Sequence, residues 1–352
     1  MKKLILILLL FLPSFSFAGG QAYEWGDEPD NHAAAMAALT NIIEISGNSG
    51  WALAIKSDGT LYAWGTDSGS RVSAIPSGTF THAAAGWYHG IGVRTGGTVV
   101  EWGTPFMTYT IGVEPWITPT ITTAEKVCAG DSHSAALLSN GTVRSWSFHP
   151  GKEIFNNMDG DITDAVDIAC GWYYVLVARS NGTVVVYGQG GIGEQTFDPD
   201  GGGLDCYESQ AYCGLTNVAK VRAGLYQAYA IKNDGTLSIW GFPTTAYPTG
   251  YPELIPPEGA TNVFDVAGGG KPRDYADGFW TIVLKNDGTT LAWGNTTGCA
   301  YCTDITSTSL PGVTFSKLGQ NPMYFAQGIG GTPSAASPAT VTGVTITGGS
   351  MR

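Results

Sequence analysis

The chain has 352 residues, with 17 Lys and Arg against 29 Asp and Glu, and a formal net charge of −12 at pH 7. A dispersed acidic surface opposes the approach of nucleic-acid phosphates, so we expect no nucleic-acid partner. Fifty glycines together with 11 Trp and 16 Tyr indicate a turn-dense all-β protein and argue against a disordered chain.

Residues 1–18 have the features of an export signal. Lys2 and Lys3 form a positive start, residues 4–12 form an apolar run, and Ser16 and Ala18 supply a small-x-small cleavage site. The run is too short to span a bilayer, and no later stretch is long and apolar enough for a membrane helix. No Cys follows the cleavage site, so we expect no lipid anchor. The sequence predicts an exported protein, secreted or periplasmic, without a membrane span.

From residue 22 onward the chain repeats a short pattern that closes on an aromatic residue followed by Gly or Ser. In six copies a Gly-Thr pair comes first, and its Thr stands four residues before the aromatic residue. The seven aromatic residues are Trp25, Trp64, Trp102, Trp146, Tyr187, Trp240 and Trp293. An internal period of roughly 40 to 50 residues is typical of propellers, solenoids and repeat arrays. We expect these aromatic side chains to pack between repeats.

Each copy contains three short apolar runs rich in β-branched and aromatic residues, which predict three strands. The Asp-Gly or Asn-Gly pair before Thr predicts a two-residue hairpin turn with positive φ at both central positions. An earlier residue ends the first strand, and we expect it to adopt a left-handed bend. This bend residue is Gly86, Gly130, Gly171, Gly224 or Gly269 in five copies and Asn48 or Asn321 in the outlying two.

The pattern resembles the repeat of the RCC1 (regulator of chromosome condensation) superfamily. The family motif, roughly Ala-Gly-x-x-His-Ser-x-Ala-Leu-x-x-Asp-Gly-x-Val-x-x-Trp-Gly, is matched by the segment that runs from Ala129 through His133 to Trp146. The resemblance covers nearly the whole mature chain and implies a β-propeller. The family's Asn-x-x-Gly-Gln-Leu-Gly tail is missing or replaced by loops, and its structural His remains only as His89 and His133.

Two half-repeats predict how the ring closes. Residues 22–26 form the second half of a repeat with no first half before them. Residues 315–327 form the first half of a repeat with no aromatic-Gly pair after them. Pairing the two removes both exposed sheet edges. We therefore predict a seven-bladed β-propeller over residues 19–332, with the closing blade shared between the N- and C-terminal segments. Residues 333–352 form a Ser/Thr/Gly-rich tail with three open interpretations: an added outer strand, a phage-fibre-like stem or a disordered tail.

Several aromatic residues fall just after the bends. Because all bends of a propeller project from one end of the ring, five of these side chains should converge on the mouth of the central channel: Trp87, Tyr88, Trp172, Tyr173 and Tyr226. Grouped aromatic residues at a surface supply contact area at small entropic cost. We predict that they bind a partner, together with Trp51 and Trp280. The alternative is that they pack flat on neighbouring loops.

Six Cys in an exported protein favour disulfides over a metal site. Two pairs, each within one long inter-blade insertion, predict local intraloop disulfides, with zinc as the alternative: Cys206 with Cys213, and Cys299 with Cys302. Cys128 and Cys170 lie on the first strands of neighbouring copies, where they either stay buried as free thiols or form a third bridge.

Asp198, Asp200 and Asp205 lie close together in one insertion. Their spacing suits either a calcium loop or, more simply, an acidic turn. No Ser-His-Asp order, His-x-x-x-His motif or Walker loop is present in the sequence. We therefore expect no cofactor, no metal and no enzyme activity.

The function that these observations favour is docking of a macromolecule after export. We expect a monomer whose aromatic channel mouth binds a partner protein, similar in architecture to exported RCC1-like propellers that inhibit β-lactamases. Three alternatives stay open: a carbohydrate-binding propeller, a phage-fibre-like attachment protein, and a propeller lyase that uses the channel.

Overall fold

The computed structural model describes residues 20–25, 39–48, 50–103, 118–147, 162–188, 214–241, 255–270, 279–294, 315–319 and 326–330. The predicted export signal, the tail, the four loop cysteines and the three clustered aspartates lie outside these residues. Their predicted roles therefore stay predictions.

The described residues form an all-β structure of seven antiparallel sheets, or blades, each with three strands. Blades are numbered from the first complete repeat. Their strands are β2 Ile42–Asn48, β3 Trp51–Lys56 and β4 Leu61–Gly65 in blade 1; β5 Phe80–Ala85, β6 His89–Arg94 and β7 Val99–Gly103 in blade 2; β8 Ala124–Ala129, β9 His133–Leu138 and β10 Val143–Ser147 in blade 3; β11 Ala165–Cys170, β12 Tyr174–Arg179 and β13 Val184–Gly188 in blade 4; β14 Val218–Ala223, β15 Gln227–Lys232 and β16 Leu237–Gly241 in blade 5; β17 Val263–Gly270, β18 Phe279–Lys285 and β19 Thr290–Gly294 in blade 6; and β20 Phe315–Leu318, β21 Ala326–Gly330 and β1 Gln21–Trp25 in blade 7. A 3-10 turn, Ser68–Ser70, follows blade 1.

The closing blade joins the two ends of the chain, as the half-repeats predict. Strand β1 pairs antiparallel with β21, with Gln21 opposite Gly330 and Ala22 opposite Ile329. Strand β21 pairs in turn with β20. Backbone hydrogen bonds in both directions between Gly20 and Ile42, each 2.9 Å, then attach this blade to blade 1. The seven-bladed propeller with a shared closing blade is confirmed.

The first strand of each of blades 1–6 contacts the first strand of the next blade. Lys317 of blade 7 contacts Glu44 of blade 1, so the seven first strands surround the axis of the ring. In blades 1–6 the aromatic residue that ends the repeat packs on the preceding blade, as predicted. Trp146 of blade 3, for example, lies in one apolar cluster with Ile91 and Val93 of blade 2, and Trp64 of blade 1 lies with Ile329 of blade 7. Burial of these large side chains is the main source of blade-to-blade cohesion.

The hairpin turns exist where predicted, but their geometry differs from the prediction. Only the Gly of each Asp-Gly or Asn-Gly pair has positive φ, for example +78° at Gly235. The preceding Asp234 instead accepts hydrogen bonds from Thr236, at 2.9 Å from the backbone N and 2.7 Å from Oγ1. This Asx turn explains the Thr that follows Gly in the repeat, because its amide and hydroxyl both bind the same carboxylate oxygen.

The bend glycines are also needed for a reason other than the predicted one. Gly86, Gly130, Gly171 and Gly224 are not among the residues with positive φ. A Cβ on Gly86 would lie 2.7 Å from Cε1 of His89 and 2.9 Å from the carbonyl oxygen of Gly130. The bend therefore requires glycine because the neighbouring blade and the side chain three residues later approach too closely for a methyl group.

Candidate functional site: the aromatic mouth

The five aromatic residues predicted to converge do meet at one end of the ring. We call Trp87, Tyr88, Trp172, Tyr173 and Tyr226 the aromatic mouth; each is half-buried. The rings of Trp87 and Trp172 stack with centroids 5.4 Å apart and planes 15° apart. Trp172 also lies 5.1 Å from the rings of both Tyr173 and Tyr226. One continuous aromatic surface thus joins blades 2, 4 and 5.

The stack of Trp87 on Trp172 passes over blade 3, because the two residues belong to blades 2 and 4. Blade 3 carries the small residues Asp131 and Ser132 at the equivalent positions, and these leave room for the stack. Backbone hydrogen bonds hold the successive bends together: Trp87 N donates to Gly130 O at 3.0 Å, and Asp131 N donates to Trp172 O at 3.1 Å. The backbone that carries Trp87 and Trp172 is therefore held by hydrogen bonds to blade 3.

Trp51 and Trp280 do not belong to this surface, and the prediction that they bind a partner is wrong. Both have an exposed fraction of 0%. Each lies at the start of a second strand and pairs there with the Gly that ends the third strand, which places its side chain between blades. Trp51 Nε1 donates a hydrogen bond of 2.9 Å to the carbonyl oxygen of Gly86 in the next blade.

We call this the anchor position. In other blades it holds a different residue type, which also contacts the next blade. His89 Nε2 lies 2.8 Å from Ser134 Oγ, and His133 Nε2 lies 3.2 Å from Tyr174 O. Tyr174 donates its hydroxyl to Gly224 O at 3.0 Å. The two histidines are fully buried. Their predicted structural role is confirmed.

The mouth also contains a carboxylate and is supported by one arginine. Asp131 is 7% exposed and lies against Tyr173. Burial, the charge of Asp131 and a hydrogen bond to it raise the pKa of the Tyr173 hydroxyl, which stays protonated. Arg71, from the connection after blade 1, donates a hydrogen bond to the carbonyl oxygen of Trp87. Burial lowers the pKa of Arg71 to about 10, so its guanidinium remains charged at neutral pH.

Below the mouth, the first strands place a ring of mostly charged residues around the axis, which we call the charged belt. Its members are Glu44, His82, Lys126, Asp167, Lys220, Asp265 and Lys317, each four residues before a bend position. Four residues of strand correspond to about 13 Å along the axis. The sequence analysis missed this belt, although the constant offset from the bend was visible in the repeat.

The charged belt and Arg222 connect every pair of neighbouring blades. Contacts of Glu44 with Lys317 at 3.7 Å and with His82 at 3.0 Å join blade 1 to blades 7 and 2. Backbone N–H groups of Val127 and Leu318 reach His82 and Asp265, each at 3.4 Å. Ion pairs complete the ring: Lys126 with Asp167, Arg222 with Asp167 at 3.0 Å, and Arg222 with Asp265 at 2.8 Å.

Comparisons with known proteins agree with this architecture. Residues 124–147 match the family model of the regulator of chromosome condensation (RCC1) repeat. Prp20p from Saccharomyces cerevisiae superposes with a TM-score of 0.64 at 15% identity, covering 90% of this chain and 93% of Prp20p. The fold is that of an RCC1-like β-propeller. The CRINKLY WD40 ectodomain of the Arabidopsis thaliana receptor kinase ACR4 also superposes, with a TM-score of 0.50 at 18% identity over 72% of this chain and 80% of the ectodomain.

The sequence relatives of this chain are longer than the regions that match it. Protein pim1 of Schizosaccharomyces pombe is 26% identical over 192 residues, which are 48% of this chain and 34% of pim1. The X-linked retinitis pigmentosa GTPase regulator homolog of Caenorhabditis elegans is 27% identical over 131 residues, 33% of this chain and 9% of that protein. The chain thus matches about a third or less of the length of these relatives.

The structure shows the state of the two cysteines that the sequence left open. Cys128 and Cys170 form a disulfide between the first strands of blades 3 and 4, with Cα atoms 5.4 Å apart. Cys170 also lines the small cavity at the mouth, next to Trp87 and Trp172. The bridge therefore fixes the two blades directly beneath the aromatic stack.

One hydrogen-bonded cluster has the residue types of a nucleophile and a base. Ser134 Oγ lies 2.8 Å from His89 Nε2 and donates to Glu101 Oε1 at 2.5 Å. Burial raises the pKa of Glu101, and burial also lowers the pKa of His89 to about 3. All three side chains are buried. Glu101 bonds to the serine and lies 3.9 Å from the same nitrogen of His89, so it does not orient the imidazole from Nδ1 as a catalytic acid does. The cluster therefore joins blades 2 and 3 and presents no nucleophile to a substrate.

Among the described residues, no group of three or more His, Cys, Asp or Glu is arranged to hold a metal ion. The same part of the chain contains no helix of the length and apolar character needed to cross a bilayer.

Proposed function

We propose that this protein is an exported, non-enzymatic binding protein that docks a partner protein on its aromatic mouth. The observation that carries this proposal is the stack of Trp87 on Trp172 across blade 3, extended by Tyr173 and Tyr226. Half-buried aromatic side chains of this kind supply contact area while little conformational entropy remains to be lost on binding. The signal-like residues 1–18 support a secreted or periplasmic location, which N-terminal sequencing of the mature protein tests.

Structural neighbours support a protein as the partner. The structure of Prp20p was described together with its binding to Gsp1p and histones, and Prp20 was also crystallised with Kap60 bound. These are properties of Prp20p, and they support protein docking as a use to which this fold is well suited. The present chain carries a net charge of −12, so its partner is expected to present a basic or neutral surface.

A double substitution in the stack tests the proposal. Trp87→Ala with Trp172→Ala removes both stacked rings but leaves the strands, the anchor position and the charged belt unchanged. We expect the binding free energy of a protein captured from the native environment to weaken by ~2–4 kcal/mol, because both residues lie at the centre of the proposed docking surface. The melting temperature should stay within a few degrees of the parent. Calorimetry with the captured partner and a thermal melt give the two values.

Trp51→Ala is the matched control, because it truncates the same residue type at a buried anchor position. It should lower stability by about 3–5 kcal/mol. If the double variant instead loses stability and keeps full affinity, the mouth is a packing feature and the proposal fails.

Carbohydrate binding is the second candidate. The rings of Trp172 and Tyr173 lie within 15° of parallel, which offers a flat surface of the kind on which a sugar ring stacks. A glycan array probed with the parent and with the double variant separates the two candidates. Saturable binding to a glycan that the double variant loses, without any protein capture, would favour this second function.

A further inference from the structure

Asp131 gives the aromatic mouth a charge that the aromatic residues alone lack. It occupies the bend of blade 3, between the bends that carry Trp87 and Trp172, and it lines the same small cavity as both of them. The remaining described residues of that lining include Asn48 and Leu225 and none that is basic. A carboxylate that is 7% exposed therefore lies beside a stacked aromatic pair at the centre of the ring.

This combination selects for a cation. The faces of Trp and Tyr attract a positive charge through the ring quadrupole, and the attraction strengthens where water is excluded. A neighbouring carboxylate adds direct ionic attraction for the same group. Among the described residues, the basic side chain of Arg71 is buried and donates to the carbonyl oxygen of Trp87, so it supports the bend.

The shape of the site favours arginine over lysine. The rings of Trp87, Trp172 and Tyr173 are parallel to within 15° for each stacked pair, so the free face of the stack is flat. A planar guanidinium stacks on such a face and still directs two N–H donors to a carboxylate, whereas an ammonium is a compact and strongly hydrated charge. The net charge of −12 also steers basic segments toward the protein.

We propose that the aromatic mouth receives an arginine side chain of the partner protein, with the guanidinium stacked on the Trp87–Trp172 pair and directed to the carboxylate of Asp131. This inference rests on the proposed function, because it assumes that the mouth is the docking surface. It adds the chemical identity of the central contact.

Small probes test the inference without knowledge of the partner. The full mature protein is titrated with N-acetyl-arginine amide, with the corresponding lysine amide, and with the citrulline amide, which has the shape of arginine but no charge. Chemical shifts of the Trp172 indole N–H report binding, since this buried group has no hydrogen-bond partner among the described residues. We expect the arginine probe to bind at least about tenfold more tightly than the citrulline probe.

Asp131→Asn should remove most of this preference, and Asp58→Asn should leave it unchanged. Asp58 is a suitable control because it lies in an exposed hairpin turn where equivalent blades carry Asn140 and Asn181. Equal affinity for arginine and citrulline, or no saturable binding in the millimolar range, overturns the inference. The comparison of probes on the parent protein stays decisive even if Asp131→Asn does not fold.

The two proposals fail in different ways. If Trp87→Ala with Trp172→Ala abolishes partner binding while arginine shows no advantage over citrulline, the docking function stands and the arginine contact is wrong. If the double variant binds the partner normally, both proposals are wrong.

Discussion

Glu44 shows how much of this propeller depends on single buried charges. Burial by itself raises the pKa of its carboxyl, but the neighbouring His82 and Lys317 outweigh that effect and lower the pKa to about 2. The His82 pKa is in turn lowered, first by burial. Glu44 therefore stays ionised and holds blade 1 to both of its neighbours.

The lowered pKa of Glu44 predicts a specific acid sensitivity. A carboxyl whose folded pKa lies below its ordinary 4.5 stabilises the fold above that value, and this contribution disappears as the pH falls toward 2. We expect Glu44→Gln to lower the free energy of unfolding by about 2–3 kcal/mol at neutral pH. The difference from the parent should shrink below pH 4.5 and vanish near pH 2.

Urea unfolding across this pH range measures the effect. Glu258→Gln, at an exposed position, is the control and should follow the parent at every pH. A constant difference between parent and Glu44→Gln from neutral pH down to pH 2 would show that the carboxylate acts by shape and not by charge.

At this scale the sequence predicted the aromatic mouth but not the anchor position. The mouth follows from ring symmetry, because residues one and two positions after a bend lie outside the strand and project from the end of the ring. Trp51 is three positions after its bend, where strand pairing begins and the side chain is turned between blades. Aromatic identity alone does not distinguish these environments, so Trp51 and Trp280 were assigned to the wrong one.

At the scale of the blade, each three-stranded sheet is joined to its neighbour by several kinds of contact. Blades 3 and 4, for example, are joined by the Cys128–Cys170 disulfide, the ion pair of Lys126 with Asp167 and a shared apolar cluster that includes Ile168. These two blades carry Asp131 and Trp172, so an interface beneath the mouth is covalently fixed.

Removal of this disulfide should loosen one interface without unfolding the blades. Cys128→Ala with Cys170→Ala opens a covalent connection across 42 residues, and we expect a loss of about 2–4 kcal/mol. Thermal melts of parent and variant, with and without reductant, measure it. Peptide mapping without reduction should find this bridge together with Cys206–Cys213 and Cys299–Cys302.

The two loop pairs serve as controls for the interface disulfide. Each closes only a short segment, so Cys206→Ser with Cys213→Ser should cost less than the Cys128 and Cys170 pair. Free thiols at Cys128 and Cys170 in the mapped protein, or an equal melting temperature after their replacement, would show that the bridge does not hold blades 3 and 4 together.

The sequence predicted the blades better than their connections. Gly-Thr pairs and short apolar runs predicted the hairpin between the second and third strands of blades 1–6, because strand pairing is local and its turn residues are distinctive. Asx turns replaced the predicted turn type, since Asp or Asn binds the following Thr and only Gly needs positive φ. The charged belt was missed because its residues alternate between acids, bases and one histidine, and only their partners across blades give them a common role.

At the scale of the whole molecule, the ring is held closed by β1. This strand covers the edge of β21, and Gly20 and Ala22 hydrogen-bond to Ile42 and Leu39 of the region that begins blade 1. Contacts of Glu44 with Lys317 close the charged belt at the same interface. Closure was predictable because one half-repeat lacks its first half and the other lacks its second half. If the two did not pair, the ring would keep two open sheet edges.

Deletion of residues 19–27 should therefore open the ring. The edge of β21 and one face of blade 1 become exposed, and we expect aggregation or a loss of thermal stability well beyond the ~1 kcal/mol of an ordinary surface substitution. A circular permutant provides the matched control. Because Gln21 lies opposite Gly330, a short Asp-Gly-Thr turn can join residue 330 to residue 21, with the new chain starting at residue 39.

The permutant keeps all three strands of blade 7 but makes them consecutive in sequence, as they are in the other six blades. It should recover most of the melting temperature that the deletion loses, since pairing of β1 with β21 and the hydrogen bond from Ala22 N to Leu39 O are restored. Size-exclusion chromatography and thermal melts of the parent, the deletion and the permutant distinguish the outcomes. A deletion variant that stays monomeric and melts with the parent would show that β1 is dispensable and that six blades and a partial seventh already form a stable ring.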